Sequence, residues 1–182
     1  MSELTIILGP MKSGKSFDLI SHFAPLQYTD IAYSVYQSSR HVRDDAVWSR
    51  NGPSIAANKV RTLKPLLKRN DAVVGIDEVH MFRPADIEVL AELLRRGTRI
   101  IVSGLDMDYR GVMFGVIRRL LELAPHEVRY KRAVCEVCRK PQAVYTQITL
   151  KGEPVTGGLP SVIPEDGTVH YLPVCRHCFV RG

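Results

Sequence analysis

Residues 9–16 read Gly-Pro-Met-Lys-Ser-Gly-Lys-Ser, two glycines separated by four residues and followed at once by Lys15 and Ser16. An apolar run containing Leu4, Ile6, Ile7 and Leu8 comes directly before, and residues 17–20 open an amphipathic stretch directly after. No other feature constrains the fold as much. A buried strand must turn through a glycine-rich loop into a helix. Such a loop points several backbone N–H groups into one concavity at a helix N-terminus, where anions are favoured. The spacing therefore predicts a nucleoside triphosphate site, most simply for ATP, built from Gly9, Met11, Lys12, Ser13, Gly14, Lys15 and Ser16. Lys15 would reach the β- and γ-phosphates, and the Ser16 hydroxyl would sit on Mg²⁺. What receives the phosphate, or what work hydrolysis does, the loop alone leaves open.

Further apolar runs at residues 31–36, 72–76 and 99–103 read as strands. Between them, residues 85–96 carry Ile87, Val89, Leu90, Leu93 and Leu94 at helical spacing, with Gly97 placed to cap the helix. Residues 114–123 read as a third helix ending before Pro125, residues 63–67 as a short helix, and residues 40–58 as a loop. Strands alternating with helices imply an α/β protein, a mostly parallel sheet with flanking helices. Near residue 133 helical periodicity stops, Val144, Thr146, Ile148 and Leu150 alternate, and glycine and proline become dense. The reading is two modules, an α/β nucleotide-binding domain over 1–133 and a small β-rich domain over 134–182.

The third apolar run ends in Asp77 and Glu78. A carboxylate at the end of a buried strand is the expected second Mg²⁺ group beside such a loop, and Asp77 fits it. Glu78 follows at the sheet edge where open α/β folds bind ligands. Its side chain is placed to accept a proton from an attacking hydroxyl or from water. On these residues a small-molecule kinase and a hydrolytic ATPase both remain open.

The chain has four cysteines, in two pairs: Cys135 with Cys138, and Cys175 with Cys178. Two C-x-x-C knuckles present four thiolates to one metal, the composition of a closed, structural Zn²⁺ site. Disulfides are the alternative, disfavoured in a cytoplasmic protein. The 36 residues between the pairs exceed a usual zinc ribbon, so the metal would clamp the base of a long loop.

Composition excludes several classes. Charged residues make up 24% and apolar ones 45% of 182 residues, with no long apolar run, as in a globular protein and not a membrane-spanning one. The chain enters its first strand without a charged leader, so no signal peptide and a cytoplasmic location are expected. Net charge is +6, but the basic residues are scattered, which argues for solvated helix faces over a nucleic-acid surface. A nucleic-acid-driven ATPase is the alternative of another class, and a catalytically silent nucleotide-binding protein a third.

Several stretches together resemble the type II thymidine kinases, the cytosolic, tetrameric class, over nearly the whole chain. They are GPMKSGKS, SRNG at 49–52, GIDEVHMF at 75–82, SGLDMDYRGVMFG at 103–115, AVCEVC, YT at 145–146, GG at 157–158 and YLPVCRHC. The resemblance implies transfer of the ATP γ-phosphate to the 5′-hydroxyl of thymidine, with deoxyuridine as a further candidate substrate, by a homotetramer with structural zinc. It makes Glu78 the general base, Arg50 a motif arginine near the phosphates, and Met11, Leu105, Tyr109, Phe114, Thr146 and Tyr171 the nucleoside-binding set. It also implies that a lasso, clamped by the zinc site, covers the nucleoside. Lys12, His80 and Met81 depart from the family's usual residues. So does the stretch of twelve residues between Gly158 and Tyr171, expected here to loop outward and to be mobile until nucleoside binds.

Overall fold

The structure is a computed structural model that describes residues 2–40, 46–48, 52–163 and 167–182. Its strands in chain order are β1 (Leu4–Leu8), β2 (Tyr33–Ser38), β3 (Ala46–Trp48), β4 (Ser54–Ala56), β5 (Asn58–Val60), β6 (Val73–Asp77), β7 (Arg99–Gly104), β8 (Glu127–Tyr130), β9 (Tyr145–Leu150), β10 (Glu153–Pro154) and β11 (His170–Val174). The α-helices are α1 (Lys15–Phe23), α2 (Ile87–Arg95) and α3 (Gly115–Leu121).

Six strands form one sheet in the order β5-β2-β6-β7-β1-β8, every neighbouring pair parallel. The inner strands β1, β6 and β7 are buried nearly throughout, so they read as continuous apolar runs without alternation. On one face Ile6, Leu8, Ile76 and Val102 pack with Leu90 and Leu93 of α2 and with Ile117 and Leu120 of α3. On the other, Ile7, Val35 and Ile101 pack with Leu19, Ile20 and Phe23 of α1. Gly75 makes room for the Phe23 ring against the sheet, because a Cβ there would fall 2.6 Å from its Cζ. Burial of these side chains at roughly 25 cal/mol per Å² is the main force holding the helices on.

Because the strands are parallel, adjacent β6, β7 and β1 all present carboxyl ends on one side, at Asp77, Gly104 and Leu8. The phosphate loop and the Asp77–Glu78 pair therefore lie on either side of the end of β7. A second sheet of order β10-β9-β11, antiparallel, brings Thr146 and Tyr171 towards that edge. Cys135, Cys175, Ala133, Ala143, Val174 and Phe179 form a separate small core, in which the Tyr145 and Phe179 rings stack with centroids 4.3 Å apart.

The structure corrects three sequence expectations. Residues 40–58 are not simply a loop. They contain the antiparallel pair β3–β4, and β5 begins at their end. Strands of three residues carry too few positions to display a period. The helix expected at 63–67 is a 3₁₀ turn, Lys64–Lys68, opened by Pro65. The edge strand β8 (Glu-Val-Arg-Tyr) was missed because its charges mask any apolar run. Residues 49–51, including Arg50, lie outside the described residues.

Candidate active site

The phosphate loop takes the shape its glycines permit. Gly9 (φ 146°) and Gly14 (φ 79°) adopt conformations unfavourable to other residues, and a Cβ on Gly9 would lie 2.5 Å from the Lys131 carbonyl oxygen. Lys12 also has positive φ, 61°. The Lys15 ammonium donates to the Pro10 carbonyl at 2.7 Å, so the loop's cation is folded over the concavity it would share with phosphate. The loop is tied to the second sheet by the Met11 N–H, which donates to Thr146 Oγ1 at 3.0 Å. Lys12 also forms an ion pair with Glu136, between the first two cysteines.

Asp77 is 3% exposed and accepts hydrogen bonds from Ser16 Oγ at 3.0 Å and from Ser103 Oγ. Burial, then the charge of Glu78, pushes its pKa up to about 6 against those hydrogen bonds. A buried carboxylate disfavoured as an anion, touching the hydroxyl that ends the phosphate loop, is a donor set that suits a divalent cation.

Glu78 adopts φ 52°, ψ 42°, left-handed for a residue with a side chain. Such backbone costs on the order of 1–3 kcal/mol and gathers at functional sites. Here it turns Glu78 into a cleft of about 460 Å³, open to solvent, while Asp77 stays among the strands. Met11, Leu105, Tyr109, Phe114, Thr146 and Tyr171 line the same cleft, so the structure brings the expected nucleoside set together beside Glu78. His80 and Met81 line it too, as do Met107, Asp108 and Ile148, which sequence reasoning did not single out.

Ser161, Val162 and Ile163 also line the cleft, against the expected outward excursion of the long segment. Side chains fasten it. The Tyr109 hydroxyl donates to the Leu159 carbonyl at 2.8 Å and accepts from the Leu159 N–H at 3.1 Å. The Arg110 guanidinium, held by Asp108, donates to Ser161 Oγ at 2.7 Å, and the Tyr171 hydroxyl donates to the Ile163 carbonyl at 2.7 Å. The anchoring is thus not by the cysteine cluster alone.

The four cysteine sulfurs lie within 4.8 Å of one another, with the Cys138 and Cys175 sulfurs 3.8 Å apart. Tetrahedral zinc with bonds of about 2.3 Å separates its thiolates by about 3.8 Å, so the cluster is of the right size. Burial and the three other thiols push Cys178 up to about 12. Against burial, backbone N–H groups of Cys138, Cys175 and Val137 pull Cys135 down to about 6. Four thiols this close ionise together only around a cation, so the cluster could hold one metal ion.

A glycine-rich loop after β1, carboxylates at the end of β6 two places away in the sheet, and a parallel sheet with helices on both faces define a P-loop α/β nucleotide-binding protein. A family-wide sequence description, thymidine kinase, matches residues 2–179, and the chain belongs to that family. Family membership makes it a nucleoside kinase that uses ATP.

Proposed function

We propose that the protein transfers the γ-phosphate of ATP to the 5′-hydroxyl of thymidine, with deoxyuridine as the competing substrate to test beside it. One observation carries the reading: Met11 belongs to the phosphate loop and also lines the cleft onto which Glu78 opens. A nucleoside in the cleft and a triphosphate on the loop would meet at that residue, which is the positioning that phosphoryl transfer requires.

In this reading Gly9 to Ser16 cradle the triphosphate, with the Lys15 ammonium moving from the Pro10 carbonyl onto the β- and γ-oxygens. Mg²⁺ would be held by Ser16 and Asp77 and would supply positive charge to the phosphates. Phe114, Leu105 and Met11 offer flat or apolar surface to a pyrimidine, while Thr146, Tyr109 and Tyr171 wall the cleft. Glu78 takes the 5′-hydroxyl proton as the oxygen–phosphorus bond forms and the bond to the departing ADP breaks. Zinc on Cys135, Cys138, Cys175 and Cys178 has a structural part, holding residues 134–182 as a unit against the domain over 1–133. The resemblance to type II enzymes supports a cytoplasmic homotetramer with no nucleic-acid partner. No helix among the described residues is long and apolar enough to cross a membrane.

The test is transfer of labelled γ-phosphate against a panel of nucleosides, with Glu78→Gln alongside. Thymidine is expected to be the preferred acceptor, and Glu78→Gln to lower kcat by about 10²–10⁴-fold with ATP affinity nearly unchanged. Transfer to no nucleoside, or a variant keeping more than about a third of the rate, contradicts the reading. Stimulation of ATP turnover by nucleic acid instead would favour a motor.

A further inference from the structure

Gln37, next to last in β2, is 2% exposed, and its buried Oε1 has no hydrogen-bond partner among the described residues. Burying an acceptor without a partner is destabilising, so such an atom calls for a ligand that donates to it.

Its position says which ligand. Gln37 is the register partner of Asp77 across β2 and β6. Register partners of a parallel pair project to the same side of the sheet. Tyr36 and Ile76 pack on the side of α2 and α3, and Val35 on the side of α1, so alternation sends Gln37 towards α1. There Ser16 Oγ donates to the Asp77 carboxylate at 3.0 Å, and Ser103 Oγ donates to its other oxygen. Gln37, Asp77 and Ser103 thus form a row along the neighbouring strands β2, β6 and β7, beside the start of α1.

The chemistry of the row is one-sided. An ionised Asp77 offers acceptors only, and Gln37 Oε1 adds another beside it. A phosphate would bring more acceptors to that place, whereas water on a divalent cation turns its protons outward. Mg²⁺ sheds water reluctantly and keeps several waters when one or two protein groups hold it, so their protons need acceptors around the site.

We propose that Gln37 Oε1 accepts a hydrogen bond from a water on the divalent cation held by Ser16 and Asp77, fixing that water and raising cation affinity. Gln37 does not bind the metal directly, and it serves the cation and not the nucleotide. The inference rests on Ser16 and Asp77 being the cation's ligands.

The experiment uses the full chain with Gln37→Met, Gln37→Glu and Asp77→Asn. Mn²⁺ is titrated into protein carrying bound ADP and followed by the paramagnetic resonance of the free ion. ADP affinity is measured separately in chelator by calorimetry. Gln37→Met matches the side chain in length but offers no oxygen. It should weaken Mn²⁺ binding about 10–100-fold, with ADP affinity in chelator within about twofold of the native value. Gln37→Glu keeps an oxygen in place and should bind Mn²⁺ within about threefold of the native protein, or more tightly. Without cation and nucleotide, Gln37→Met should melt about 2–8 °C higher than the native protein, because it removes an unpaired acceptor. Three outcomes overturn the proposal: Mn²⁺ affinity unchanged in Gln37→Met, ADP affinity in chelator falling as far as Mn²⁺ affinity, or Gln37→Glu as weak as Gln37→Met. A Met variant that melts no higher than the native protein, or does not fold, overturns it as well, by showing that Gln37 serves the fold. Asp77→Asn tests the premise separately. If that variant binds Mn²⁺ as well as the native protein, the assignment of the cation's ligands fails; if it loses Mn²⁺ while Gln37→Met does not, only the role of Gln37 fails.

Discussion

Lys12 and Glu136, 124 residues apart in the chain, form an ion pair that joins the phosphate loop to the first cysteine knuckle. Both side chains are partly exposed, so the pair contributes little to stability, at most about 1 kcal/mol. Its interest is competitive, because the same ammonium lies on the loop that would receive a triphosphate.

Removing the competing charge with Glu136→Gln is accordingly expected to tighten ATP binding about two- to fivefold at low ionic strength. The gain should fade at high salt. Calorimetric titration at two salt concentrations checks it, and unchanged or weaker binding at low salt would show that Lys12 does not turn to the phosphates.

Asp77 gives a pH prediction for protein free of nucleotide and divalent cation. Its pKa in the folded state is raised from 3.8 to about 6, chiefly by burial. A carboxyl raised on folding adds stability that is complete below the unfolded value and is lost as pH rises through the folded one. The native protein should therefore lose on the order of 1–3 kcal/mol between pH 4 and 7 through this group, and Asp77→Asn should abolish that loss. Urea unfolding at pH 5 and pH 8 reads the difference. An Asn variant no more stable than the native protein at pH 8 would refute it.

Freshly purified, reduced protein should contain one zinc per chain. A chelator should lower the melting temperature and raise hydrogen exchange over residues 133–150 and 170–180, where β9 and β11 rest on the small cysteine-lined core. Metal analysis finding no zinc, or exchange unaffected by chelation, contradicts the structural reading of the cluster.

Val162 and Ile163 stand in the cleft wall, so Val162→Ala should widen it. Pyrimidine nucleosides with a bulkier 5-substituent than methyl should gain about 3–30-fold in kcat/KM relative to thymidine, the worth of one or two methylene-sized contacts. An unchanged ratio would return the segment to the role of an outward loop. Exchange at 159–163 equally protected with and without nucleoside would show a fixed wall in place of a closing lasso.

How far the sequence reveals this molecule depends on whether the physics is local. Gly9 to Ser16 are legible because the glycine spacing and the closing Lys15 and Ser16 that mark such a loop fall within eight consecutive residues. The buried strands β1, β6 and β7 are legible because burial on both faces demands unbroken apolar runs. Helix α2 shows its 3.6-residue pattern and its Gly97 stop, which adopts φ 92°. Strands β3, β4 and β5 are too short to display a period, and β8 is a charged edge whose partner β1 lies at the other end of the chain. In the site, Glu78 is visible from its place after an apolar run, but its left-handed backbone is not. Ser161 to Ile163 reach the cleft only because Tyr109, Arg110 and Tyr171 hold them, and no local pattern encodes those contacts. His80 can be noticed as an unusual residue, yet the hydrogen bond its ring accepts from the Leu105 N–H spans two strands.

The register of β1 bears on how the protein comes together. Leu4 pairs with Ile100, and Thr5 pairs with both Ile101 and Glu127, so this strand is flanked only by chain made about a hundred residues later. Closing such large loops costs entropy before any contact rewards it, which slows folding of all-parallel sheets. The phosphate loop lies early in the chain, yet Gly9 meets the Lys131 backbone and its strand fills the slot between β7 and β8. It cannot acquire its shape until those strands exist. During synthesis the ribosome therefore releases a nucleotide-binding sequence long before it releases a nucleotide-binding site.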